Sequence, residues 1–340
     1  MIRKKFGTRA KKLQLESLEG RWLMAGDVSA NVIGGNLFII GDDLSNHISV
    51  SDGPNAGEVV ITGLPDGNAV ATTVGGQPTV TKTGVTQNIV IVLRGGEDIL
   101  DLNDLTVAKN LGVSMDDGDD EVNVGTGVAV TIVANPNLVT VGSNALIATG
   151  TGEDTINIAS LEVTGSLGIQ AGTEDDHVHL GLVNLSVSNN LVNGDVVKAR
   201  DLVINLGLGD DELTASHVGI KRAIGIAGAG GDTVNLDHVK ANHVAIALLG
   251  GEDHVTIKHL TAVNLGIFTG GDNDEVTIED SSFKRLAVEL LHGNDTFSIK
   301  NTHADLAVFD GGGGTDDTYN GLGGNSFGSA IRRRFETVNF

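Results

Sequence analysis

Aspartate recurs in this chain at a nearly constant interval and is the residue with the clearest chemistry. Ten Asp occupy the same place in a repeated motif, in which glycine stands one to four positions before the Asp and an apolar residue two positions after it. They are Asp98, Asp120, Asp154, Asp176, Asp211, Asp232, Asp253, Asp274, Asp295 and Asp317. From Asp211 to Asp317 the separations are 21, 21, 21, 21 and 22 residues. Carboxylates with a fixed period are candidate ligands for a hard cation along one edge of a repeat structure.

The residues between successive Asp predict short strands. When the Asp is position zero, positions two and four are apolar and the residue between them is polar, as in Val234, Asn235 and Leu236. A second apolar pair stands at positions twelve and fourteen, as in Val244 and Ile246, and a weaker apolar position falls at seven. Period-two alternation is typical of strands with one buried face. Each coil should therefore hold two strands, a shorter third segment and one Gly-Asp turn.

This repetition predicts an all-β fold, a single-stranded right-handed parallel β-helix (solenoid) with coils of about 21 residues. Helices are disfavoured because the segments are short, β-branched residues dominate, and glycine interrupts every coil. Only 3% of residues are aromatic against 40% hydrophobic, so aliphatic side chains must fill the interior. The chain has no cysteine, which excludes disulfides and thiolate metal sites.

Departures from the period predict the domain organisation. We expect a basic export or targeting segment at 1–26, a β-rich entry or cap at 27–90, the solenoid at 91–317 and a C-terminal cap at 318–340. Within the entry segment, Asn46 begins a stretch that matches the motif with Asn in place of Asp. Spacings of 34 and 35 residues after Asp120 and Asp176 predict insertions around Val128 to Val141 and around Ser188 to Val197.

Charge is divided sharply between the N-terminal segment and the rest. Residues 1–26 contain seven Lys/Arg and two Glu, a net charge of +5. Since the whole chain has a net charge of −22, the remaining residues carry −27. An acidic body repels nucleic acid and attracts cations, so we expect divalent cations and no nucleic acid among the partners. No run of 18 apolar residues occurs, and the sequence predicts no membrane span.

The stretch from Leu15 to Leu23 reads LESLEGRWL and follows the basic start of the chain. It resembles the N-terminal LEPR-XLL motif of planctomycete-type exported proteins, with Gly20 where that family usually has Pro. The resemblance implies an extracellular or cell-surface location, with partners among cell-surface or extracellular-matrix components. A disordered basic tail is the alternative.

The glycine–Asp turns are similar to RTX (hemolysin-type) calcium-binding loops, most closely in GTGED at Gly150 to Asp154 and GLGDD at Gly207 to Asp211. The resemblance implies that the ten Asp bind Ca²⁺. In this chain the loop is usually shortened and occurs only once per coil. Only one edge of the solenoid could therefore resemble the β-roll that RTX repeats form. The alternative is a metal-free ladder, in which each Asp accepts backbone N–H bonds at its turn. Further acids near the turns favour calcium: Asp116, Asp117, Asp119, Asp175, Asp210 and Asp272.

A second column falls at position six of successive coils and contains His217, His238 and His259, followed by Asp280 and Asn301. Imidazoles beside a carboxylate could bind zinc or respond to pH. Side chains that stack in parallel do not converge on one point, so a polar turn column is the preferred interpretation.

The sequence therefore predicts a non-catalytic, exported or cell-surface structural or adhesive solenoid that binds Ca²⁺ along its Gly-Asp turns. One alternative is a polysaccharide lyase or hydrolase of the parallel β-helix type. Such an enzyme needs convergent acids and usually aromatic platforms, whereas the acids here follow the repeat. The other alternative is a metal-free scaffold for surface interactions.

Overall fold

The computed structural model describes residues 26–65, 71–126, 137–181 and 195–340. These residues form strands and turns and no helix, so the described chain contains no helix able to cross a membrane. The strands are β1 (Asp27–Ile33), β2 (Asn36–Ile40), β3 (His47–Asp52), β4 (Val59–Gly63), β5 (Thr73–Val74), β6 (Thr79–Lys82), β7 (Ile89–Val92), β8 (Ile99–Leu102), β9 (Thr106–Val107), β10 (Leu111–Asp117), β11 (Glu121–Val124), β12 (Val139–Val141), β13 (Ala145–Thr151), β14 (Thr155–Ile158), β15 (Leu161–Val163), β16 (Ser166–Thr173), β17 (His177–Gly181), β18 (Val197–Leu208), β19 (Glu212–Ser216), β20 (Val218–Ala229), β21 (Thr233–Asp237), β22 (Lys240–Leu248), β23 (His254–Lys258), β24 (Thr261–Phe268), β25 (Glu275–Glu279), β26 (Ser282–Glu289), β27 (Thr296–Lys300), β28 (His303–Asp310), β29 (Thr318–Gly321), β30 (Ser326–Arg333) and β31 (Thr337–Asn339).

Each coil contributes one strand to each of two sheets. In one coil, Asp232 is followed by β21, a turn at His238, and β22, before the glycine turn that leads to Asp253. In three earlier coils the second side is split into a short and a longer strand, as in β15 and β16. Strand β18 pairs with both of these, so later coils fuse the predicted third segment with the second strand.

Successive coils stack in parallel and in register, which confirms the predicted solenoid. Thr233 lies opposite His254, which lies opposite Glu275, and that residue lies opposite Thr296. The motif strands form a 14-stranded sheet and the returning strands a 17-stranded sheet. In-register stacking is what places equivalent residues of each coil in continuous columns.

The core is a narrow aliphatic interior between the two sheets. The predicted inward positions are buried, with Val234 fully buried and Leu236 3% exposed. Val244 and Ile246 close the interior from the other sheet and are likewise buried. Removal of these side chains from water in every coil is the main favourable term in folding such a chain.

Antiparallel strands cover the N-terminal end of the stack. Strands β2 and β3 already pair in parallel with β7 and β8, so the parallel ladder begins before residue 91. Strand β1 pairs antiparallel with β2, and β4 pairs antiparallel with β3. These strands occupy edges that would otherwise be open to pairing with another chain.

The C-terminal end is closed by a last coil and by aromatic side chains. Strands β30 and β31 pair in parallel with β28 and β29, so the ladder continues beyond residue 317. Tyr319 is buried and lies 5.8 Å from Phe335 and 6.0 Å from Phe340 between ring centroids. The Arg332 guanidinium lies 4.7 Å from the Tyr319 ring centroid, a cation–π contact.

Residues 1–25 of the predicted export segment and most of both predicted insertions lie outside the described residues. Val139, Val141 and Val197 are exceptions, because they belong to β12 and β18 and are buried in the core. Regular coil structure therefore resumes at these residues.

Candidate functional site: the Asp column

The ten motif Asp form one buried column, which we call the Asp column. Their exposed fractions range from 0 to 3%. In nine of the ten, the backbone N–H of the column residue donates to Oδ1 of the Asp in the next coil. Asp232 donates to Asp253 at 2.8 Å, and Asp253 donates to Asp274 at 2.9 Å. Asn46 begins the series by donating to Asp98, and Asp317 ends it by donating to Oε2 of Glu336.

The second carboxylate oxygen of every column residue lacks a hydrogen-bond partner. All ten Oδ2 atoms are buried and unpaired, from Asp98 to Asp317. The Oδ2 of Asp232 faces Gly228, where an added Cβ would lie 2.1 Å away. A buried unpaired oxygen is costly, and a buried unpaired negative charge is much more so.

Burial raises the pKa of the column carboxyls, although the backbone N–H bonds to Oδ1 act in the opposite direction. The pKa rises to about 6 at Asp154, Asp211 and Asp274, to about 7 at Asp98, Asp232 and Asp295, and to about 8 at Asp120, Asp176 and Asp253. Burial also raises the pKa of Asp317. The folded chain therefore holds protons in this column at pH values where ordinary carboxyls are ionised.

The column has the oxygen donors that Ca²⁺ prefers, but it arranges them in a line. Ca²⁺ takes six to eight oxygen ligands. Among the described residues, no three column carboxylates bring one oxygen each within 4.8 Å of one another. A calcium ion at the free Oδ2 atoms would have to complete its shell with backbone carbonyl oxygens and water.

Immediately outside this column lies a second series, the outer row, which consists of Asp119, Asp175, Asp210, Asn273 and Asn294. Its hydrogen bonds run in the opposite direction along the stack. The N–H of Glu153 donates back to Asp119 at 3.0 Å, and that of Gly231 donates back to Asp210 at 2.7 Å. The Asp of this row are exposed. Exposed charge on this edge therefore comes from the outer row and its neighbours, not from the Asp column.

The predicted His column occupies left-handed turns. His217, His238 and His259 have φ values of 57°, 51° and 49°, and Asp280 and Asn301 continue the series at 50° and 47°. Asn, Asp and His are the non-glycine residues most enriched in this conformation, which accounts for their alternation in the column. The column therefore lies at turns, as the sequence predicted.

The stacking of these imidazoles is uneven. The rings of His217 and His238 are parallel within 3°, at 4.9 Å between centroids, whereas the ring of His259 is tilted by 30° from that of His238. Nδ1 of His238 and Nδ1 of His259 both contact Oδ1 of Asp237, at 2.9 and 2.7 Å. Convergence at this one place was not expected from the repeat.

Two further polar features were missed from sequence. Asn36, Asn88, Asn110 and Asn144 form a ladder in which each Oδ1 accepts the N–H of the next coil, ending at Ser166. The spacings of 52, 22 and 34 equal those from Asn46 through Asp98 and Asp120 to Asp154, so the signal was present in the sequence.

The other missed residue is Asp201, a buried carboxylate outside the Asp column. Arg222 binds it through Nε at 2.6 Å and Nη2 at 2.7 Å, and Arg200 binds it at 2.9 Å. The hydrogen bond from Arg222 outweighs burial and lowers the pKa of Asp201 to about 2. This carboxylate is ionised, and its pKa lies well below those of the column.

Comparison with protein-family models, with curated proteins and with solved structures found no match to this chain. The functional assignment therefore depends on the fold and on the geometry of the columns.

Proposed function

We propose that this chain is a non-catalytic, exported structural scaffold that binds Ca²⁺ along the edge formed by the Asp column and the outer row. The observation that carries the proposal is the series of ten buried Oδ2 atoms without partners. Carboxylates in adjacent coils repel one another when both are ionised, so the column needs neutralising cations or protons. Among the described residues, no ion pair involves a column Asp.

The support for a scaffold role comes from the distribution of polar groups. In the described residues, acids and amides follow the coil register in three ladders, and only Asp237, His238 and His259 form a convergent group that could hold a metal ion. Ladders of this kind satisfy backbone N–H groups at the turns, which stiffens a stack of coils. Export is proposed from the LEPR-XLL resemblance, and adhesion to surface components is the expected use of such a scaffold.

A metal-free scaffold is the second candidate, and the raised pKa values of the Asp column favour it. Protons would then neutralise the column in place of calcium, and stability would depend on pH and not on calcium. The two candidates differ most at pH 8, where few protons remain available to the column.

The experiment is thermal and urea unfolding of the full chain at pH 8, with Ca²⁺ or with a calcium chelator. If calcium neutralises the column, we expect saturating Ca²⁺ to raise the free energy of unfolding by about 3 kcal/mol at a hundred times its Kd. Mg²⁺ at the same concentration is the control, since it demands octahedral geometry and retains its water. Identical unfolding curves with Ca²⁺ and with chelator would refute calcium binding and leave the metal-free scaffold.

A further inference from the structure

Asp237, His238 and His259 form the only convergent group of metal-ligating side chains in the described part of the chain. One ligand atom of each side chain lies within 4.8 Å of those of the other two, and Oδ1 of Asp237 contacts Nδ1 of both His238 and His259. We propose that these three atoms bind one divalent transition-metal ion, Zn²⁺ being the ion of choice, and that the ion links two adjacent coils. This site is independent of the Asp column and of calcium.

The chemistry of the donor set fits a borderline metal and not calcium. Two imidazole nitrogens and one carboxylate oxygen are ligands typical of zinc sites that keep a position for water. The observed contacts are 2.9 and 2.7 Å, whereas ligand atoms around tetrahedral zinc are about 3.3 Å apart for bonds of about 2.0–2.1 Å. The two contacts would therefore lengthen by about 0.4 and 0.6 Å to admit the ion.

The protonation of the three groups permits this exchange. Oδ1 of Asp237 is the acceptor in both contacts, because an ionised carboxylate has no proton to donate. Each Nδ1 must then carry the proton it donates. When a metal replaces those protons, each neutral ring can carry its proton on Nε2 instead.

Access and neighbouring charge also permit binding. The side chains of Asp237, His238 and His259 are 47%, 49% and 46% exposed, so an ion can reach them and water can complete its shell. Lys258 lies opposite Asp237 across the strands, but its Nζ lies 3.3 Å from Oε2 of Glu279. Because of this ion pair, the positive charge of Lys258 lies towards the following coil and away from Asp237.

The site spans two coils because its ligands come from different ones. Asp237 ends β21 and His238 follows it in the same coil, while His259 stands one coil further along. Equivalent coils lack the set, since Ser216 stands in the place of Asp237 before His217, and its Oγ contacts Nδ1 of that His at 2.8 Å. The chain therefore contains its own control for a stacked histidine without the carboxylate.

The test is calorimetric titration of the full chain with Zn²⁺ in the presence of millimolar Ca²⁺ and Mg²⁺. We expect one saturable site. His259→Asn and Asp237→Ser should each lower the Zn²⁺ affinity by at least about tenfold. A loss of that size is typical even when the mutated residue only hydrogen-bonds to a metal ligand. Asn and Ser already occupy the corresponding positions of other coils at Asn301 and Ser216. The matched control His217→Asn removes a ring stacked on His238 but no ligand atom, so it should weaken binding less than either ligand variant does.

A second measurement needs no variant and guards against misfolding. In the ¹⁵N spectrum of the histidine rings, Zn²⁺ should move the Nδ1 resonances of His238 and His259 and leave that of His217 near its original position. Absence of a saturable site below millimolar Zn²⁺ would overturn the proposal. Equal losses in His217→Asn and His259→Asn, or ring shifts spread evenly over all histidines, would also overturn it.

Discussion

Replacement of Asp253 by asparagine tests whether the Asp column is neutral in the folded chain. Asp253 is fully buried, its Oδ1 accepts the N–H of Asp232, and its Oδ2 has no partner. The asparagine side chain would keep an oxygen for that hydrogen bond but would carry no charge at any pH. The variant thus removes the titration while it preserves the ladder.

The direction of the pH effect follows from the raised pKa. Burial raises the pKa of Asp253 from 3.8 to about 8, so the folded state holds this proton between about pH 4 and pH 8, where the unfolded chain loses it. The contribution of Asp253 to stability is therefore full below pH 4 and is lost as the pH rises towards 8. Between pH 5 and pH 8 the loss amounts to about 4 kcal/mol for this residue.

Asparagine has a cost of its own, which does not depend on pH. Its amide N–H groups would replace the unpaired Oδ2 in a buried place and lower stability by about 1–3 kcal/mol. We therefore expect Asp253→Asn to be less stable than the natural chain at pH 5. At pH 8 it should be more stable by about 1–3 kcal/mol, because it avoids the ionisation.

Urea unfolding followed by far-UV circular dichroism at pH 5 and pH 8 measures both differences, with chelator present so that calcium does not neutralise the column. Asp305→Asn is the control, since the Asp305 side chain is 66% exposed and lies outside the column. It should shift stability by less than about 0.5 kcal/mol at either pH. The same difference between natural chain and Asp253→Asn at both pH values would refute a neutral column.

Two further predictions concern the turns and the C-terminal end. Gly172 has a φ of +133°, and an added Cβ would lie 1.9 Å from the carbonyl oxygen of Gly150. Gly172→Ala should therefore lower the free energy of unfolding, measured by urea unfolding, by about 2 kcal/mol or more. Gly112→Ala, which meets nothing within 4 Å, should stay within about 0.5 kcal/mol, and equal effects would contradict this account. Phe309 is buried 4.8 Å from Phe297 between ring centroids, so Phe309→Ala should cost about 3–5 kcal/mol. In that variant, the backbone amides of the Thr318–Gly321 strand should lose protection from hydrogen exchange before those of other strands. A uniform loss of protection along the chain would contradict a local role for the aromatic side chains at this end.

The strands and their register could be predicted from sequence because every coil of a solenoid repeats the same pattern of apolar, polar and turn residues. Alternation at positions two and four identified the buried faces, and constant spacing implied that equivalent residues align. The ends were harder to predict because the motif is lost there while the strand pairing continues. Strands β2 and β30 pair in parallel with their neighbours although neither lies beside a motif Asp.

The direction of the column carboxylates was available in the same alternation. Position zero has the parity of positions two and four, so a strand pattern extended back to the Asp places its side chain inside. Asp253, Val255 and Ile257 are indeed buried together. Carboxylates are ordinarily exposed to solvent, but that rule applies to ionised groups and not to carboxyls that keep a proton when buried.

The convergent histidines could not be predicted from the repeat because their partner is not part of it. Asp237 stands at position five, where other coils have Ser216, Lys258, Glu279 and Lys300. Its carboxylate and the tilt of His259 bring two stacked rings towards one atom. Residues that break the pattern of a repeat are therefore the first places to search for binding sites.

The two kinds of buried carboxylate in this chain explain why the Asp column depends on its surroundings. Asp201 is kept ionised by Arg222 and Arg200, a solution that uses two arginines for one acid. The chain has 22 Lys and Arg against 44 acids, and seven of those bases lie in residues 1–26, so arginine cannot neutralise ten column residues in the same way. We expect neutralisation to come from protons or metal ions supplied by the solvent. With ten protons bound, the formal net charge falls in magnitude from −22 to −12, and the stability of every coil becomes linked to pH or to calcium through one column.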